Sequence, residues 1–143
     1  MKVLFDTNVV LDVLLEREPH VTAAAMLFSL VDNGDLEGSI CATTATTVFY
    51  IAARSFGSKR AQAQVRDLLG LFAVATVDRD VLTRALALDF ADFEDAVLHE
   101  AASAGGMSAI VTRDRQGFAN ATLPVFDPHE LLAAVTAAAE RLR

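Results

Sequence analysis

Three segments of the chain end in carboxylates just where an apolar run gives way to a polar turn. Val3-Leu4-Phe5 is followed by Asp6-Thr7-Asn8, Asp92-Phe93-Glu94-Asp95 opens a helical stretch, and Ile110-Val111-Thr112 runs into Arg113-Asp114-Arg115. In a parallel α/β sheet, the C-terminal end of each strand and the N-terminal end of the helix after it lie along one edge. A helix that feeds the next parallel strand starts at that edge as well. Asp6, the acids Asp92, Glu94 and Asp95, and Asp114 are therefore expected to meet there. Carboxylates that close raise one another's pKa, so the group calls for a counter-charge. Oxygen donors without thiolates suit a hard cation, Mg²⁺ or Mn²⁺. Such an ion polarises a phosphoryl oxygen and makes a bound water acidic enough to attack it. No Ser-His-Asp or Cys-His arrangement competes: Cys41 falls inside a strand, and His20, His99 and His129 are scattered through helices or their starts with no assigned role.

Each acid also has an ordinary structural use. Asp6 can cap the helix that begins at Thr7. Asp92 to Asp95 has the form of a capping box, in which acids are favoured by the helix dipole. Asp114 follows a strand in a polar turn, a common place for Asp. Asp12 lies about 1.5 Å per residue deeper along the first helix and suits a structural or water-mediated role. Arg113 and Arg115 flank Asp114 and suit phosphate. Arg54, Lys59, Arg60 and Arg66 form the basic cluster; it reads as a solvated helical surface before it reads as a track for RNA or an acidic partner.

The elements that must position these side chains follow from periodicity and punctuation. Strands are predicted at 2–5, 39–42, 72–77, 108–112 and 124–126. Helices are predicted from Thr7 to Leu15, from about His20 to Asn33-Gly34, from Thr44 to Arg54, from Ser58 as cap to about Leu69, from Asp78 as cap to about Leu88, from Asp92 as cap to Ala104, and from Asp127-Pro128 onward. Strands alternating with single or paired helices predict an α/β fold, a three-layer α/β/α sandwich around a mostly parallel sheet of about five strands.

The chain of 143 residues is expected to form one domain, 1–143. Its 53% apolar content excludes disorder, yet no apolar run reaches the ~18–20 residues that span a bilayer. No secretory signal is read at the start, since Asp6 interrupts the apolar run after Lys2. A single cysteine excludes a disulfide framework and fits a reducing compartment, so a cytoplasmic protein is expected. The net charge of −7 is a poor start for gripping a phosphate backbone unaided. Acids number twelve Asp against seven Glu, and an Asp excess in a largely helical chain points to caps, turns or a site.

The segments Val3–Asp12, Asp92–Ala96 and Ile110–Asp114 with Phe118, closed by Pro124–Pro128, resemble the PIN-domain ribonucleases, and within them the branch that includes toxins of bacterial toxin–antitoxin pairs. The resemblance runs in order over essentially the whole chain. It implies a Mg²⁺- or Mn²⁺-dependent ribonuclease acting on RNA, with Asp6, Asp95 and Asp114 as metal ligands, Thr7 and Asn8 supporting Asp6, and Asp92 left as the cap. It also implies a cognate antitoxin protein and a homodimer, for which the alanine-rich stretch 131–139 offers a surface. One position departs from the family pattern. Where many members carry a Glu early in the helix after the second strand, this chain has Thr47 and no acid nearby. A weakened site, or a PIN-like module that only binds RNA or a partner, is therefore an alternative. A phosphatase-type site fits less well, because Asn8 stands where a second Asp is wanted and neither Lys2 nor Lys59 falls near the edge. Dinucleotide binding is disfavoured, since no Gly-rich turn follows the first strand.

Overall fold

A computed structural model describes residues 1–142. Five strands, β1 (Lys2–Phe5), β2 (Glu37–Cys41), β3 (Ala73–Ala75), β4 (Ala109–Val111) and β5 (Val125–Phe126), form one sheet in the order β3-β2-β1-β4-β5, parallel throughout. Seven α-helices connect and cover it: α1 (Thr7–Leu14), α2 (Val21–Asp32), α3 (Ala42–Phe56), α4 (Ser58–Leu71), α5 (Arg79–Leu86), α6 (Phe93–Ala104) and α7 (Pro128–Arg141). Among the described residues no helix is long and apolar enough to cross a membrane.

Side-chain alternation along the strands divides the core in two. Val3, Phe5, Ile40 and Val111 face α1, α2, α3, α4 and α7, while Leu4, Cys41 and Ile110 face α5 and α6. The layers follow from handedness. From β1 to β3 the chain steps outward one way, then returns past β1 to place β4 on its other side. Right-handed crossovers that reverse direction must change face, which sends α5 and α6 to the opposite layer. The strand order thus reverses between β1 and β4, and ligands of such sheets bind at the carboxyl ends of the strands flanking that reversal. Phe5, the last residue of β1, packs edge-on against Phe28 and Phe72 with ring centroids 6.0 and 5.0 Å away, anchoring the strand end from which Asp6 emerges.

The Asp excess finds its explanation in caps. Asp6, Asp78, Asp92 and Asp127 each accept a backbone N–H at the start of a helix, and Asp127 with Glu130 completes a full capping box. Ser58 does not cap: α3 and α4 are joined by Gly57 alone, whose φ of +87° turns the chain, and no side chain caps α4. β3 is shorter than expected, α3 starts directly at the end of β2 without a loop, and the turn after β4 contains a 3-10 helix, Arg115–Phe118.

Candidate active site

Asp6 sits at the reversal point with both carboxylate oxygens occupied. Oδ1 accepts from the Thr7 amide at 2.6 Å, and Oδ2 accepts from the Thr112 hydroxyl at 2.7 Å. That hydroxyl is fully buried and fully used, since it also accepts from Asn8 Nδ2 at 3.3 Å and from the Asp114 amide at 3.0 Å. Asn8 in turn accepts the Arg113 amide through Oδ1. Thr7 completes a second link, its hydroxyl 2.8 Å from that of Thr44 at the start of α3. Burial raises the Asp6 pKa above the ordinary carboxylate value; donation by Thr112 and Thr7 works against this, and the charges of Asp114 and Asp92 add to it.

Asp95 enters from the first turn of α6, one turn beyond the capping Asp92, whose Oδ1 accepts its amide. Its carboxyl is pushed up to about 7, by burial first and then by the charges of Asp6, Asp92, Asp114 and Glu94. Asp114 stands at the exit of β4, its Oδ1 accepting the Gly117 amide. A Cβ placed on Gly117 would lie 2.8 Å from Asp95 Oδ2 and 2.9 Å from Asp114 Oδ2. The two carboxylates therefore share a space that exists because residue 117 has no side chain. The charges of Asp6 and Asp114 both reach Asp95, so the three carboxylates lie along one edge of the sheet.

The donors fit a hard divalent cation: all are oxygens, their mutual repulsion lacks a protein counter-charge at Asp95, and glycine keeps the space between two of them open. Among the described residues no group of three or more Asp, Glu, His or Cys side chains is arranged to hold a metal ion. Thr47 is half-buried on α3, a helix that carries no acid anywhere from Ala42 to Phe56.

Arg113 turns its Nε and Nη2 onto Asp12, with Nη2 3.1 Å from Oδ1. Arg17 donates to the same carboxylate at 2.9 Å and to the Asn8 carbonyl at 3.2 Å. Asp12 is completely buried, and a carboxylate there must be paired. Arg113 is therefore engaged in a structural ion pair through Nε and Nη2. Arg115 is exposed and pairs with Glu130 of α7 at 3.0 Å. Arg54, Lys59, Arg60 and Arg66 are all exposed on the α3–α4 hairpin, in keeping with a solvated surface. His99 is buried, its Nε2 accepting the Thr122 amide at 3.1 Å, and burial lowers its pKa. Sequence reasoning missed Thr44, Thr112, Arg17 and Gly117. For Thr112 alone there was a signal: a hydroxyl directly after the apolar run Ala109–Val111 and two residues before Asp114.

A family model described as PIN domain matches residues 2–116, and the chain belongs to that family. Solved structures share the fold. A toxin–antitoxin complex from Klebsiella pneumoniae is similar at a TM-score of 0.68 and 23% identity, covering 90% of this chain and 98% of the other. DNA-bound VapBC from Salmonella typhimurium gives 0.68 and 17%, with the same coverage. VapC20 from Mycobacterium tuberculosis, a sarcin–ricin loop cleaving toxin, gives 0.61 and 15% over 76% of this chain and 86% of its own. No curated protein sequence matches the chain.

Proposed function

We propose that this PIN-domain protein is a metal-dependent endoribonuclease and the toxin of a toxin–antitoxin pair. The observation that carries this reading is the crowding of Asp95, raised to about 7, against Asp6 and Asp114 at the reversal point of the sheet. Asp6, Asp95 and Asp114 would hold Mg²⁺ or Mn²⁺, which when bound polarises the scissile phosphate and acidifies a water. Asp6 is the aimed member, its two oxygens oriented by Thr7 and Thr112. Asn8 and Thr112 fix the exit of β4 and with it the position of Asp114. Asp92 holds the first turn of α6, so Asp95 projects from a rigid element. Arg115, exposed beside Asp114, is the arginine free enough to exchange Glu130 for an RNA phosphate. With Thr47 in place of a fourth acid, the site carries one negative charge fewer and binds its ion more weakly.

The similar toxin–antitoxin structures support a cognate antitoxin as partner. Exposed apolar side chains, among them Met26, Tyr50, Leu86 and Phe93, supply surface for it or for a second copy of the chain in a homodimer. A cytoplasmic location goes with this reading. The test is cleavage of a mixed RNA pool with Mn²⁺, Mg²⁺ or EDTA, with Asp6→Asn as control and analysis of the new ends. Metal-dependent cleavage leaving 5′-phosphate and 3′-hydroxyl ends is expected. Cyclic-phosphate ends or cleavage that survives EDTA would refute the mechanism. RNA binding without cleavage would select the binding-only reading, which the absence of any acid from α3 favours.

A further inference from the structure

A cavity of about 210 Å³ opens between the starts of α2 and α7, lined by His20, Ala23, Arg113, Asp127, Pro128 and His129. Arg113 directly precedes Asp114, and Asp127 leads out of β5, so the cavity belongs to the same sheet edge as the three carboxylates. It is nonetheless separate from them, and it joins two histidines that are scattered in the sequence.

Its size and lining restrict what it can hold. The volume is below the ~300 Å³ where pockets for drug-sized ligands begin. It exceeds several times the ~30 Å³ share of one water, so a single ring system fits. Two imidazoles and a proline ring provide flat surfaces. Among the described residues no three of the lining side chains form a metal cage. A carboxylate in the wall opposes a bare phosphate. Asp12 fixes the Arg113 guanidinium through Nε and Nη2, leaving Nη1 as a pre-oriented donor. The Asp127 carboxylate spends Oδ1 on the Glu130 amide, leaving Oδ2 as an acceptor.

We propose that this cavity holds one unstacked RNA base, guanine, next to the site of cleavage, an assignment that rests on the nuclease reading above. Single-stranded RNA is read by laying splayed bases against aromatic faces and hydrogen-bonding their edges. Guanine presents O6 and N7, both acceptors, to arginine, and carries an amino donor on its opposite edge for a carboxylate. Adenine sets an amino donor where the guanidinium would meet it, uracil has no amino donor for Asp127, and cytosine carries its amino group and its acceptors on one and the same edge, leaving no separate acceptor edge for the arginine. His20, Arg113, Asp127 and His129 thereby select the base.

The test is a titration of the full chain in EDTA with GMP, AMP, CMP, UMP and inorganic phosphate, followed by the NMR imidazole signals of its three histidines. GMP should move His20 and His129 and leave the core residue His99 in place, with binding at least about tenfold tighter than for the other nucleotides. His20→Ala should weaken GMP binding about tenfold by removing a stacking face. Asp127→Asn keeps an equally good helix cap and should lower the preference for GMP over AMP by about tenfold. Equal shifts with all four nucleotides, the same shifts with inorganic phosphate, or no shift at His20 and His129 would each overturn the assignment. Guanine binding without cleavage of any RNA would keep the subsite and remove the nuclease reading. Cleavage with no GMP shift would do the reverse.

Discussion

Replacing Asp95 with Asn should stabilise the metal-free protein at alkaline pH and destabilise it, relative to wild type, once metal is added. The Asp95 carboxyl is raised from 3.8 to about 7 in the fold. A carboxyl whose native pKa lies above its unfolded value supports the fold fully below the unfolded value and loses that support as pH rises through the native one. For Asp95 the loss runs from about pH 4 to about pH 7. Three pKa units at 1.36 kcal/mol each set a ceiling of about 4 kcal/mol of destabilisation by the ionised group. Screening from the open side of the cleft reduces this, and an acid in the first turn of α6 recovers ~0.3–1 kcal/mol from the helix dipole. The asparagine variant should therefore gain about 1–3 kcal/mol in EDTA at pH 8, roughly 3–10 °C in Tm for a chain of this size, and the two proteins should converge near pH 4. Saturating Mn²⁺ should invert the order, adding about 4.1 kcal/mol to wild type at a thousandfold excess over Kd and little to the variant. Calorimetric melts over pH 4–8, with and without metal, decide it. A variant less stable than wild type in EDTA at pH 8, or melting shifts by Mn²⁺ that are equal in both proteins, would refute the placement of Asp95 in a repulsive carboxylate cluster.

Gly117→Ala should fold with a nearly unchanged Tm, because its Cβ meets only the carboxylate groups of Asp95 and Asp114, which can turn away, yet isothermal calorimetry should show weakened Mn²⁺ binding as the two are displaced. Asp12→Ala leaves Arg17 and Arg113 without their shared partner; since both arginines retain access to solvent, a loss of about 2–3 kcal/mol is expected in urea melts rather than outright unfolding. Thr47→Glu adds a fourth carboxylate and should tighten Mn²⁺ binding by calorimetry while lowering the Tm in EDTA; an unchanged affinity would mean that this face of α3 lies too far from the ion.

Much of the fold was legible because it is specified locally. Asp78, Asp92 and Asp127 each cap a helix from three residues away, and the apolar runs at 2–5 and 109–111 need no partner to be recognised as buried strands. The sheet edge at which the β1 exit and the α6 start lie was legible for a related reason: in a parallel sheet, where a strand ends and a helix starts is decided by direction alone, whatever the strand order. Strand order is what the local pattern does not contain. By placing β4 beside β1, the tertiary structure brings Thr112 under Asp6 and turns Arg113 onto Asp12. By adding β5 next to β4, it sets α7 across from α2 and closes His20 and His129 around one cavity. Gly117 carries no sign in the sequence that its missing side chain keeps space between two carboxylates. These contacts join residues distant in the chain, and their geometry depends on the packing of several elements at once, so no spacing rule along the sequence can express them.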